Sequence, residues 1–107
     1  MTKRAEYIER QSRDSATFDG TFQTLGSALS DPACLIKVVN NSTVDIDISV
    51  DGTTNHDFVP AGSFFLYDLR ANHGRENDFV FIKGTQVYVK GAAGTGSVYL
   101  TVIRERP

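Results

Sequence analysis

The side chains able to do chemistry are few and scattered. Asp45, Asp47, Asp51 and Asp57 form the main acidic cluster in the 107 residues. A calcium site needs several oxygen ligands converging from a loop, and the spacing departs from the EF-hand pattern. Asp45 and Asp47 instead alternate with Val44, Ile46 and Ile48, the pattern of a strand with one face in solvent. His56, His73 and Cys34 lack the paired spacing of a zinc site. Cys34 opens an apolar stretch and reads as a buried structural thiol. Ser63 follows Gly62 with no nucleophile elbow around it, and no acid–base pair stands out from surface carboxylates. The expectation is no enzyme, no metal and no cofactor. Gly91-Ala92-Ala93-Gly94-Thr95-Gly96 invites a phosphate-binding reading. It lacks the lysine of a P-loop and leads into a strand rather than a helix, so a hairpin loop with glycines at positive φ is the better account.

The elements that would position these groups read as strands. Apolar residues make up 40% of the chain, aromatics 10%, and the net charge is −2 from 11 basic and 13 acidic residues. That suits one thin-cored domain and carries no basic stripe of the kind nucleic acid requires. Lys3, Arg4, Arg10 and Arg13 are offset by Glu6, Glu9 and Asp14. A lone cysteine fits a reducing compartment. No apolar run is long enough to span a membrane, and the first residues have no signal-peptide character.

From Cys34 onward the alternation has a period of two. Ile36 and Val38 point one way; Val44, Ile46, Ile48 and Val50 share a face opposite Asp45, Asp47 and Ser49. Asp51-Gly52 suits a tight hairpin turn, with a return strand from about Asn55 to Val59. Pro60-Ala61-Gly62 reads as a second turn. Strands are expected over Ser63–Leu69, Asp78–Ile82 and Thr85–Lys90, with a polar loop from Arg70 to Asn77 and a last strand in which Val98, Leu100 and Val102 alternate. About seven short strands with no helix between them predict an all-β fold, an antiparallel β-sandwich or small barrel. Phe64, Phe65 and Tyr67 put large groups on both faces of one strand. Phe79 with Phe81, and Val80 with Ile82, do the same on the next. Such strands are either central in a core or at a subunit contact. Tyr88 and Tyr99 lie opposite the valine face of their strands, and with Tyr67 they are the candidate exposed aromatic contacts.

Residues 1–32 have a different texture and read as an extended N-terminal arm on a domain of residues 33–107. A short helix is expected over Thr2–Arg13, where Glu6 and Arg10 have i,i+4 spacing. The apolar residues beyond it are widely spaced. Such a segment buries too little to offset its own ordering entropy, yet stretched out it could reach roughly 100 Å. Tyr7, Ile8, Phe18, Phe22 and Leu25 are the residues expected to grip neighbouring subunits.

Two runs carry a family resemblance. Val39-Asn40-Asn41-Ser42-Thr43-Val44-Asp45-Ile46-Asp47-Ile48-Ser49-Val50-Asp51-Gly52, continuing through His56-Asp57-Phe58-Val59-Pro60-Ala61-Gly62, resembles small virion proteins of tailed bacteriophages. So does Lys83-Gly84-Thr85-Gln86-Val87-Tyr88-Val89-Lys90-Gly91 with Gly94-Thr95-Gly96-Ser97-Val98-Tyr99-Leu100-Thr101-Val102, and the stretch from Ser15 to Gly26 fits the same texture. The resemblance spans about residues 15–103 and implies a non-enzymatic β-sandwich subunit at the neck, the head–tail joint or the tail, or a capsid accessory. Implied partners are further copies of the chain and other virion proteins (portal, neck, tail or major capsid), in a virion assembled in the host cytoplasm. The alternatives are a capsid decoration protein and a carbohydrate- or receptor-binding module using Tyr67, Tyr88 and Tyr99 as a platform.

Overall fold

The computed structural model describes residues 4–68 and 81–106. The strands are β1 (Arg4–Tyr7), β2 (Gln11–Asp14), β3 (Gln23–Thr24), β4 (Ala33–Ser42), β5 (Ile46–Ser49), β6 (Asp57–Val59), β7 (Phe64–Asp68), β8 (Tyr88–Lys90) and β9 (Gly96–Arg106), with a single 3₁₀ turn at Ser15–Thr17. They form two antiparallel sheets. In the first, the order is β1-β9-β4-β7, with β2 also on β9; in the second it is β3-β8-β5-β6. The expected sandwich is present, with nine strands rather than about seven among the described residues. Of the expected strand over Asp78–Ile82, the described residues show a bridge between Phe81 and Ala33; Leu69, the loop with His73, and residues 78–80 lie outside the described residues.

β1 and β2 run end to end along one side of β9. Arg4–Tyr7 pair with Ile103–Arg106 and Gln11–Asp14 with Ser97–Leu100, and the Ile8 N–H bridges the break by donating to the Val102 carbonyl. Taken as one interrupted strand, they reduce the sandwich to eight strand positions. The chain passes between the layers at every connection except the β5–β6 hairpin. That is the strand order of a double-sheet jelly roll.

The core follows from the alternation. In the β4–β9 ladder, Ile36 faces Val102, Val38 faces Leu100 and Asn40 faces Val98, and all six are buried. The second sheet contributes Ile46, Ile48, Val59, Val87 and Val89.

The front of the chain is built into this core, and the arm expected over residues 1–32 is corrected over its described part. Phe18 and Leu25 are 3% and 0% exposed, and Leu29 is buried with them. The Leu25 and Leu29 N–H groups donate to the carbonyls of Val87 and Thr85. The low apolar content that argued for an arm holds for the segment in isolation. Within the chain, the free sides of β9 and β8 supply its hydrogen bonds, and each buried Phe or Leu contributes roughly 1.5–3 kcal/mol. The division at residue 32 is therefore not a boundary of the core. The helix expected over Thr2–Arg13 is replaced by β1 and β2. Tyr7 and Ile8 are adjacent and give a helix no apolar stripe, whereas β9 offers a complete ladder.

The Gly91–Gly96 loop joins strands of opposite sheets, so it is a crossover and not a hairpin loop. Gly96 has φ +92°, and a Cβ there would collide with the Asn41 carbonyl oxygen. The β5–β6 hairpin turns through a longer loop than a two-residue turn. The Asp51 carboxylate accepts from the N–H groups of Thr53 and Thr54, both at 2.8 Å, and from the Ser49 hydroxyl.

Candidate interaction surface

The two sheets differ on their outer faces. On the first, register places Leu35 beside Ile103, Lys37 beside Thr101 and Val39 beside Tyr99. Tyr7 continues the Ile103 row at one side, and Phe64 and Leu66 continue the Val39 and Lys37 rows at the other. Tyr7, Phe64 and Leu66 are 75%, 65% and 48% exposed. The result is an apolar patch with three aromatic rings that crosses all four strand positions, with Ser12 beside Tyr99 and Asp68 beside Leu35 at its margins. Lys37 stands near its middle, and no hydrogen bond or ion pair to its ammonium occurs among the described residues. Arg10 covers part of the face, its guanidinium 4.8 Å from the centre of the Tyr99 ring.

The outer face of the second sheet is more polar. Asp47, Lys90 and Thr24 lie on it with Tyr88 and Phe58. The Lys90 ammonium sits 4.6 Å over the Phe22 ring, and the Tyr88 ring backs onto Gly52. A large exposed apolar patch on a small domain marks a contact site more often than a polar face does.

The five residues expected to grip neighbours do not share a surface. Phe18 and Leu25 are in the core, Ile8 is half-buried against it, Phe22 lies under Lys90, and only Tyr7 is exposed. The three tyrosines also part company. Tyr88 and Tyr99 are half-buried on opposite outer faces. Tyr67 points inward, stacked on Phe65 at 5.0 Å and edge-on to Phe81. Its hydroxyl donates to Asp57 at 2.6 Å. Burial first, and then this bond to a carboxylate, push its pKa well above the usual 10.0. They therefore form no common platform.

The acidic group is likewise dispersed. Asp45 accepts from the Ala61 N–H, Asp51 closes its own loop, Asp57 holds Tyr67 and Asp47 faces outward. His56 Nδ1 accepts from the Val50 N–H at 3.1 Å, and the Cys34 thiol lies 3.6 Å from the Ile103 carbonyl. Among the described residues, no three His, Cys, Asp or Glu side chains gather as a metal site. A cavity of about 200 Å³ opens between the sheets, lined mainly by Ile36, Ile48, Val87 and Phe81 with Tyr67, Asp57 and His56.

Leu35, Val39 and Ile103 complete the apolar face, and sequence reasoning did not single them out as contacts. The signal was present: in Leu35-Ile36-Lys37-Val38-Val39 both phases of the alternation are largely apolar, and one phase had to face away from the core. No protein-family model matches this chain, and no characterised protein matches it.

Proposed function

We propose that this chain is a non-enzymatic structural subunit of a tailed-phage particle, placed at the neck, the head–tail joint or the tail, and held there by the outer face of its first sheet. The observation that carries the reading is the apolar face formed by Tyr7, Leu35, Val39, Phe64, Leu66, Tyr99 and Ile103. Aromatic-rich surfaces with few charges are the composition of interface centres. The phrases of sequence described above support the same class. Jelly-roll order agrees with it, although capsid and lectin domains share that order and a fold alone does not assign a function.

The contact is made by a sheet face and not by a trailing arm. Docking removes the exposed apolar rings from water, and Lys37, near the middle of the face, selects for a carboxylate on the opposing surface. The test is the copy number of the chain in purified particles carrying Val39→Lys, with the isolated variant checked for an unchanged melting transition. A folded variant missing from the particles is the expected result; incorporation at normal copy number overturns the reading.

A further inference from the structure

β7 is the last strand of the first sheet, and no described strand pairs with its outer side. Edge strands present unpaired N–H and C=O groups, which proteins guard with charges, prolines, bulges or brevity. The other edges are guarded. The β1/β2 side is broken at Ile8–Arg10, β3 has two residues, and β6 has three and ends at Pro60. β7 is five residues long, Phe64-Phe65-Leu66-Tyr67-Asp68, in unbroken register with Leu35–Val39. Its sole charge is at its end.

The ladder shows which groups face outward. The Asn40 N–H donates to the Ser63 carbonyl at 2.8 Å. Bonded and non-bonded pairs alternate in an antiparallel ladder. Val38–Phe65 and Ile36–Tyr67 are therefore the bonded pairs, and the N–H and C=O of Phe64 and Leu66 point to the free side. These two residues also carry the exposed apolar side chains of the strand.

We propose that β7 pairs antiparallel with β7 of a second copy, on a two-fold axis beside Phe65, so that two first sheets join into one. This rests on the reading that the chain assembles through its first sheet. In that register the backbone groups of Phe64 and Leu66 bond those of the partner's Leu66 and Phe64, and their side chains form two apolar cross-strand pairs. Asp68 falls opposite the partner's Gly62, so no like charges meet. Self-complementarity is what a two-fold interface requires, and the two outer apolar faces become continuous.

The side wall of the sandwich is about 20 Å thick with its side chains and about 17 Å long, so two copies bury roughly 700 Å² in projection. That lies below the roughly 1,200 Å² of a stable complex. The free dimer is accordingly weak, and its population rises with concentration.

The test is sedimentation velocity of the full chain between roughly 1 µM and 1 mM, for the wild type, Leu66→Pro and Leu66→Lys. Proline at 66 removes an N–H that faces the free edge and leaves the β4 ladder intact. The expected result is monomer giving way to dimer in the wild type, and monomer throughout in both variants with melting transitions retained. Should Leu66→Pro fail to fold, Leu66→Lys decides. A wild type that stays monomeric at the highest concentration, or a dimer that persists in the folded variants, overturns the inference. An association abolished by Val39→Lys but untouched at Leu66 also overturns it, and leaves the sheet-face reading standing.

Discussion

Asn40 is fully buried on the inner side of β4. Its amide nitrogen donates to the carbonyls of Val44 and Val59 at 2.8 and 3.1 Å, and its amide oxygen accepts from Ser42 at 2.5 Å. One side chain thus ties β4 to the β4–β5 connection and to the end of β6, across the two layers. Replacing it with Leu takes this donor from the buried Val59 carbonyl, while the Val44 carbonyl keeps the Ser42 hydroxyl at 3.1 Å, so Asn40→Leu should cost about 1–3 kcal/mol in urea unfolding. Nothing in the sequence marked this residue, because a buried asparagine within an alternating strand looks like a polar interruption. Ser15 was equally hidden: it is buried, and its hydroxyl donates to the Gly96 carbonyl at 2.7 Å. Gly96 itself was legible as a glycine needing positive φ. Gly96→Ala should destabilise by roughly 1–3 kcal/mol from backbone conformation alone, and by more through the clash with Asn41, as read by thermal melting.

Two titrations act at the same scale. The Asp51 carboxyl is held well below its usual 3.8 by the Thr53 and Thr54 N–H groups and the Ser49 hydroxyl. A carboxylate whose pKa is depressed on folding contributes stability above its unfolded pKa and loses that contribution as pH falls through the folded value. Asp51→Asn should therefore flatten the fall in urea midpoint below about pH 4. Tyr67 behaves in the opposite sense. Its folded pKa is raised from 10.0, so its contribution is complete below pH 10.0 and declines as pH rises beyond that value. Tyr67→Phe should remove this part of the alkaline loss, measured as urea midpoints on either side of pH 10.0.

The elements divide by how local their signal is. β5 and β6 could be read directly, since a hairpin keeps its alternation within a few positions, although the tight turn expected at Asp51-Gly52 is a longer loop closed by the Asp51 carboxylate. β4 and β9 showed the same two-residue period over long runs. β1, β2 and β3 did not, for two physical reasons. They have four, four and two residues, too few to establish a period. Their partners are also remote: Tyr7 pairs with Ile103 and Gln23 with Val89. Side chains confirm the connection. Arg104 bridges Glu6 and Asp31 at 3.1 and 3.0 Å, and Arg13 reaches Gln23 and the Thr24 carbonyl. The front segment is therefore expected to contribute to the stability of the whole sandwich. Phe18→Ala should cost about 3–5 kcal/mol and Leu25→Ala about 2–5 kcal/mol in equilibrium unfolding. A dangling segment would show almost no change in either.

At the scale of the whole molecule, sandwich architecture was legible from strands without helices, while the layer assignment was not. Whether two successive strands form a hairpin or cross between sheets depends on which apolar faces meet across the core. The short Gly91–Gly96 and Pro60–Gly62 connections carry no mark of that choice. The interaction surface changed place for the same reason: once Phe18, Leu25 and Leu29 are committed inward, the exposed apolar residues that share one face among the described residues are Tyr7, Phe64 and Leu66 on the first sheet, while Val50, Phe58 and Ile82 are exposed elsewhere. That commitment is the claim on which the sheet-face contact depends, and residue-resolved amide exchange of the full chain in dilute solution tests it most directly. The N–H groups of Ile8, Leu25 and Leu29, bonded to the carbonyls of Val102, Val87 and Thr85, should be protected as strongly as those of β4 and β9. Exchange of these three at the rate of a free peptide, with β4 and β9 still protected, would contradict it and return the front of the chain to an arm.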